Sequence, residues 1–127
     1  MRASIATLCS LVLLAVIPAA AGASGRAAVS CSPFKVAGEV FGSKSFTQIR
    51  VTNSSCREAR RVARLWLSNL DSGTRRQRLC KAGTFVPKAS CAVGAYVCLA
   101  TDLPGTANKV SCRSGARRVS WRVYFDE

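Results

Sequence analysis

Hydrophobic and polar residues alternate along several short segments of the chain, and this period of two predicts β-strands. The segment FTQIRVT (46–52) places Thr47, Ile49 and Val51 on one side and polar residues on the other. The C-terminal segment RRVSWRVYF (117–125) alternates along nearly its whole length. Further short strands are predicted within 34–42, 95–101 and 109–113.

The segment CREARRVARLWLSNL (56–70) follows the period of an α-helix instead. Its apolar residues recur three and four positions apart and form one stripe, made of Ala59, Val62, Ala63, Trp66, Leu67 and Leu70. Ser55 and Glu58 match a capping box, in which the serine oxygen accepts an amide hydrogen bond and the glutamate reaches back to the cap amide. The opposite side of this helix carries four arginines, Arg57, Arg60, Arg61 and Arg64.

These elements together predict an α+β domain, in which one α-helix packs on a small antiparallel sheet. Trp66 of the helix and Trp121 of the last strand are the expected contact between the two layers. Turn residues end the helix within 69–78, and 79–94 is expected to form a loop or short irregular strands. A tight turn at 114–115 should join the last two strands.

The N-terminal segment 1–23 has the pattern of a secretory signal peptide. Arg2 precedes a short apolar run, and small residues form a cleavage site before the predicted exported domain, 24–127. The apolar run is shorter than the ~20 residues that span a bilayer, so we expect no membrane span once the signal is removed. A lipoprotein signal ending at Cys31 is the weaker alternative, because Arg26 separates that cysteine from the apolar run.

The cysteines of the exported domain predict three disulfides. Six remain after Cys9 leaves with the signal peptide, namely Cys31, Cys56, Cys80, Cys91, Cys98 and Cys112. An even number in a short exported chain is typical of a disulfide framework, and six cysteines allow about 15 pairings among which the sequence does not choose. Zinc sites favour Cys-x-x-Cys pairs, which this chain lacks, so we expect no metal site.

The composition excludes most catalytic chemistry and adds a strong positive charge. The chain has 19 lysines and arginines, 6 aspartates and glutamates, and no histidine. Without histidine there is no Ser-His-Asp or Cys-His catalysis. Glu58 is assigned to a helix cap, and Asp71 and Asp102 to turns, rather than to a converging carboxylate pair. We therefore expect no catalytic residue, no cofactor and no enzyme activity.

The arginines are the candidate binding residues. A surplus of positive charge favours an anionic partner, such as an anionic polymer or an acidic protein surface. The predicted polyanion-binding residues are Arg57, Arg60, Arg61 and Arg64 of the helix and Arg118 and Arg122 of the last strand. The competing interpretation is a solvated polar face. Membrane attack by the helix is disfavoured, because its apolar stripe is needed for the core.

Three motifs occur in order along the chain: Cys56-x-x-Ala59-Arg60, Tyr96-x-Cys98 and Val110-x-Cys112-x-x-Gly115. This arrangement resembles small exported domains of unknown function that are common in actinobacteria. The resemblance covers residues 46–125 and implies an α+β fold and export from a bacterium, without any known activity. Cys31 and Cys91 lie outside the four-cysteine pattern of these domains, and we expect them to form an extra bridge that holds the N-terminal segment.

The sequence therefore predicts a secreted, non-enzymatic basic domain that binds an anionic extracellular partner. The alternative is a small disulfide-rich protease inhibitor or antimicrobial effector. For this alternative the candidate binding element is the loop GTFVPK (83–88), which lies between Cys80 and Cys91.

Overall fold

The computed structural model describes residues 27–37 and 43–125, which form three strands, then two helices, and then a four-stranded meander. The elements are β1 Val29–Cys31, β2 Phe34–Val36, β3 Lys44–Thr52, α1 Cys56–Ser72, α2 Arg75–Arg78, β4 Lys88–Val93, β5 Tyr96–Leu103, β6 Ala107–Ser114 and β7 Arg117–Phe125. The signal peptide predicted for 1–23 lies outside the described residues, as does part of the strand predicted within 34–42.

All of these strands belong to one antiparallel sheet with the order β1-β3-β7-β6-β5-β4, and β2 pairs with β3 beside β1. Helix α1 packs against β3, β4 and β7 on one face, which we call the inner face. The hairpins β4–β5 and β6–β7 are closed by two-residue turns that begin at Gly94 and Gly115. Both glycines have a positive φ, of 58° and 59°, which such tight turns require.

The fold class predicted from the sequence is only partly what the structure shows, because the sheet is larger than expected and there is a second helix. The segment 79–94 is predicted to form a loop or short irregular strands, whereas its second half is the regular strand β4, which pairs along its whole length with β5. Helix α2 begins with a complete capping box. The Thr74 hydroxyl accepts from the Gln77 amide at 3.3 Å, and the Gln77 side chain accepts from the Thr74 amide at 2.8 Å.

The apolar stripe predicted for α1 is confirmed as the helical half of the core. Ala59, Val62, Ala63, Trp66 and Leu67 are buried, and Leu70 is half-buried. The expected contact between the two layers is also confirmed. The rings of Trp66 and Trp121 lie 6.0 Å apart in an edge-to-face arrangement, a geometry that aromatic quadrupoles favour.

Strand β3 contains a β-bulge that changes which residues face the core. Its pairing with β7 shifts between Thr47 and Arg50, and Gln48 within the bulge has a φ of 48°. As a result Phe46 and Ile49 are both buried, and Thr47 lies on the other face. The prediction that Thr47 shares the buried side with Ile49 is therefore wrong, because the extra residue of a bulge reverses the alternation.

Three disulfides connect the described elements, and they pair Cys31 with Cys56, Cys80 with Cys91 and Cys98 with Cys112. The first joins β1 to the start of α1. The predicted bridge between Cys31 and Cys91 is wrong. These two residues lie on opposite edge strands, about 24 Å apart at the usual strand spacing, whereas a disulfide needs Cα atoms within about 7 Å.

Candidate anion-binding surface

The six arginines predicted to bind a polyanion lie on two opposite sides of the molecule. Arg57, Arg60, Arg61 and Arg64 belong to α1, which covers the inner face of the sheet. Arg118 and Arg122 alternate along β7 with the buried residues Val119, Trp121 and Val123. Because successive strand residues point to opposite faces, these two arginines lie on the face away from α1, which we call the outer face.

Two of the four helix arginines, Arg61 and Arg64, contact other groups of the fold. Arg61 donates two hydrogen bonds, of 2.9 and 2.7 Å, to the carboxylate of Glu58. The guanidinium of Arg64 lies 5.3 Å from the centre of the Phe34 ring. Arg60 is half-buried, and its Nε atom has no hydrogen-bond partner within the described part of the chain. Within the described part of the chain, Arg57 is the one member of the four that is exposed and makes no such contact, so this group is poorly placed to receive a ligand.

Glu58 is the centre of a small charge network at the start of α1. The Ser55 hydroxyl accepts a hydrogen bond from the Glu58 amide at 3.1 Å, which forms half of the predicted capping box. The Glu58 carboxylate accepts instead from Arg61 and, at 3.3 Å, from the hydroxyl of Tyr96. Hydrogen bonding from Arg61 lowers the pKa of Glu58 and raises that of Arg61, and the nearby Arg117 contributes weakly to the first shift.

Five cations of the outer face lie in register across three neighbouring strands. Arg113 of β6 is directly opposite Arg118 of β7, and Lys109 is directly opposite Arg122. Arg50 of β3 lies opposite a serine of β7, between these two like-charged pairs. The outward-facing positions of β3 to β7 contain no acidic residue. Within 27–37 and 43–125, none of the five cations forms an ion pair.

This arrangement is electrostatically unfavourable for the free protein. Like charges that lie directly opposite one another on neighbouring strands destabilise a sheet, and here two such pairs share one face. Among the residues that the structure describes, no carboxylate on that face compensates for the repulsion. The described part of the outer face therefore carries positive charge that its own residues do not compensate.

Serines in the middle of the outer face make room for a ligand. Ser120 of β7 and Ser111 of β6 lie opposite one another in the row between the two cationic pairs. Their small side chains leave a groove of about 530 Å³, also lined by Arg50, Val97, Leu99, Arg113 and Arg118. A second depression, of about 220 Å³, is lined by Gln48, Arg50, Lys109, Ser120 and Arg122. The two depressions share Arg50 and Ser120, so they are adjacent.

Three of the five outer-face cations, Arg50, Lys109 and Arg113, were not among the predicted binding residues. Lys109 and Arg113 could have been identified from the position of the turn between β6 and β7. A two-residue turn at 115–116 fixes the register, and this register places Arg113 opposite Arg118. The turn predicted at 114–115 is one residue too early. It would have placed Arg113 opposite Ala116 and hidden the pairing.

The chemistry of this surface suits anions. Guanidinium groups donate paired hydrogen bonds to phosphate, sulfate or carboxylate oxygens, and serine hydroxyls add further donors. Among the residues that the structure describes, no cluster of three or more His, Cys, Asp or Glu side chains is placed to hold a metal ion. None of the described helices has the length and apolar character needed to cross a membrane.

No protein-family model, curated protein or solved structure matches this chain. The resemblance to exported actinobacterial domains therefore stays a prediction from the sequence. What the protein does has to be argued from the chemistry of its surfaces.

Proposed function

We propose that this chain is a secreted, non-enzymatic basic domain that binds an anionic polymer across the outer face of its sheet. The observation that carries the proposal is the pairing of Arg113 with Arg118 and of Lys109 with Arg122 on a face whose described strand positions include no acid. A bound polyanion replaces the repulsion within each pair by attraction to the ligand.

The spacing of the cations favours a polymer over a single small anion. Arg118 and Arg122 are four residues apart on one strand, which separates their backbones by about 14 Å. One phosphate or sulfate group does not reach both. A chain of anionic groups that runs over Ser111 and Ser120 contacts one cationic pair at each end and Arg50 between them. An acidic protein surface is the less suitable partner, because the ligand must enter a groove.

The secreted part of the proposal rests on the disulfides and on the predicted signal peptide. Three disulfides are compatible with an extracellular protein, because the cytosol keeps most thiols reduced. An extracellular location also brings the domain into contact with acidic glycans and released nucleic acid, both of which present closely spaced anionic groups.

The test is the salt dependence of binding to duplex DNA and to heparin, with a sulfonate resin as the control for charge alone. If all five cations contact DNA phosphates, a plot of the logarithm of affinity against the logarithm of salt concentration should have a slope of about −4 to −5. The double variant Arg113→Ser/Arg118→Ser should reduce that slope by about 1.8. The matched control, Arg57→Ser/Arg64→Ser, removes the same charge from the helix side and should change the slope much less.

The fold gives this test an internal check. Because Arg113 and Arg118 repel one another, their removal should leave the unfolding midpoint unchanged or raise it slightly. Weaker binding then reports a lost contact rather than a damaged fold. Equal losses in the outer-face variant and in the helix variant would mean that the charge acts diffusely, and the proposed site would be wrong.

The alternative of a protease inhibitor or antimicrobial effector has less support. The candidate loop, 83–88, is closed by the bridge between Cys80 and Cys91, as a rigid inhibitory loop requires. However, Gly83 and Val86 exchange both backbone hydrogen bonds, so the tip of the loop is a tight turn. Clefts that recognise peptides through their backbone need an extended segment, which this tip does not offer.

A further inference from the structure

The segment 75–88, which we call the Phe85 segment, combines exposed apolar side chains with a concentration of positive charge. Phe85 is 99% exposed, Leu79 is 66% exposed and Val86 is 53% exposed. The segment has no acidic residue, and its five cations are Arg75, Arg76, Arg78, Lys81 and Lys88. The segment lies beside β4, at the edge of the sheet far from β1.

The base of this segment is firmly attached to the core. Cys80 is bonded to Cys91 of β4, and Ala82 is buried. The side chain of Asn108 accepts from the Ala82 amide at 2.9 Å and donates to the Ala82 carbonyl at 3.0 Å. Phe85 is therefore exposed although the base of its segment is held in place by the core.

The tip itself is a closed turn that holds Phe85 away from the protein. The Gly83 amide donates to the Val86 carbonyl at 2.8 Å, and the Val86 amide donates to the Gly83 carbonyl at 3.0 Å. Thr84 and Phe85 occupy the two positions between them. Beyond the turn, the Asp102 amide donates to the Pro87 carbonyl at 2.9 Å, which ties the returning chain to β5.

We propose that the Phe85 segment docks the protein on an anionic lipid surface, with Phe85 and Val86 inserted between the headgroups. Apolar side chains next to cations are the chemistry that such surfaces bind, since the apolar groups enter the acyl boundary and the cations attract anionic lipids. Lys81 lies 4.0 Å from the centre of the Phe125 ring and so is partly used within the fold. The remaining four cations are available to the headgroups.

The narrow tip favours a lipid surface over a protein pocket. A stable protein interface buries about 800 Å² on each partner, and such interfaces place an aromatic anchor at the centre of a larger complementary patch. Here the exposed apolar side chains of the turn are Phe85 and Val86, and the adjoining Gly83 and Thr84 add little apolar surface. A bilayer needs no matching shape, because lipids rearrange around an inserted side chain.

This inference goes beyond the proposed function and is independent of it. It concerns residues at the β4 edge, whereas the polymer site lies on the outer face around Arg50 and Ser120. Each cation near an anionic membrane should strengthen binding about fivefold. Insertion of the Phe85 ring should add at least about tenfold.

Cosedimentation of the oxidised chain with vesicles tests the proposal. We expect binding to phosphatidylcholine vesicles that contain phosphatidylglycerol and much weaker binding to phosphatidylcholine alone. The variant Phe85→Ser should bind the anionic vesicles at least about tenfold more weakly, with an unchanged unfolding midpoint, because Phe85 makes almost no contact with the fold. The matched control is Val29→Ser, which removes an exposed apolar side chain from β1 and should bind vesicles normally.

Fluorescence of the variant Phe85→Trp provides an independent measurement. The native Trp66 and Trp121 are buried, so their emission should not respond to lipid. The tryptophan at position 85 should shift to shorter wavelengths when anionic vesicles are added. The proposal is overturned if the anionic vesicles do not bind, if Phe85→Ser binds them as well as the unmodified chain, or if the tryptophan emission does not shift. Retention of Phe85→Ser on heparin should be normal, which separates this outcome from that of the polymer site.

Discussion

The variant Asn108→Ala should be among the most destabilising single substitutions outside the apolar core. Asn108 is 1% exposed and lies in β6, where its side chain forms three hydrogen bonds. Two of them bind the amide and the carbonyl of Ala82, and the third, at 2.9 Å, runs to the carbonyl of Ala107. The asparagine side chain thus gives the backbone of the buried residue Ala82 the two hydrogen bonds that a neighbouring strand would otherwise provide.

The expected cost follows from the groups that the substitution leaves without partners. Ala82 is itself 1% exposed, so water does not readily replace the lost amide. Each buried backbone group that loses its partner costs about 1–3 kcal/mol. Two such groups give about 2–4 kcal/mol if the segment relaxes partially. A domain of this size is stable by about 5–15 kcal/mol, so the variant should still fold.

Urea unfolding of the oxidised protein measures this cost. With an m-value of about 1.5 kcal/mol/M, the midpoint should fall by about 1.3–2.7 M. The control Ser111→Ala changes an exposed residue of the same strand and should move the midpoint by no more than about 0.3 M. A loss below about 1 kcal/mol for Asn108→Ala would refute the reasoning, because it would mean that other groups satisfy the Ala82 backbone.

Two further predictions concern the start of α1. Hydrogen bonding from Arg61 lowers the pKa of Glu58 in the folded state below its ordinary value of 4.5. The ionised carboxylate therefore stabilises the fold at pH values above 4.5. This stabilisation is lost as the pH falls through the folded-state pKa. In thermal unfolding, Glu58→Gln should therefore lower the free energy of unfolding by up to about 1 kcal/mol at neutral pH, and this difference should disappear in acid. An equal decrease at both pH values would contradict the role of the charge. The double variant Cys31→Ser/Cys56→Ser opens a loop of 25 residues and should lower the free energy of unfolding, measured with guanidinium, by about 3.5 kcal/mol. A decrease of less than about 1 kcal/mol would show that β1 contributes little to the fold.

The parts of the fold that the sequence predicts well are those that local periodicity determines. The stripe on α1 and the alternation of β7 are visible without knowing any partner, and the contact of Trp66 with Trp121 follows from them. For β4 the sequence predicts only a loop or short irregular strands, because Gly83 and Pro87 indicate a loop, whereas its regular strand conformation depends on pairing with β5. Helix α2 has a clear capping signal, but it is too short to show an apolar stripe.

The candidate site shows the same division between local and non-local information. Alternation in β7 already places Arg118 and Arg122 on one face. The residues of β6 that lie opposite these two arginines depend on the register of the hairpin. A turn predicted one residue too early changes every pairing in that hairpin. The sequence divides the arginines of α1 and those of β7 into separate groups, and it does not decide whether these groups share a face. Only the packing of α1 on the inner face separates them.

The position of β4 has a consequence for how this protein can be produced. In the described part of the sheet β4 pairs with β5 alone, so its other side presents free backbone donors and acceptors. The segment closed by Cys80 and Cys91 and the adjacent α2 lie next to this edge. In a reducing compartment that closure is lost, and an exposed edge strand with a single charged residue is a template for pairing between chains. Expression in an oxidising compartment should therefore yield monomeric protein, whereas cytosolic expression favours intermolecular β-sheet and inclusion bodies.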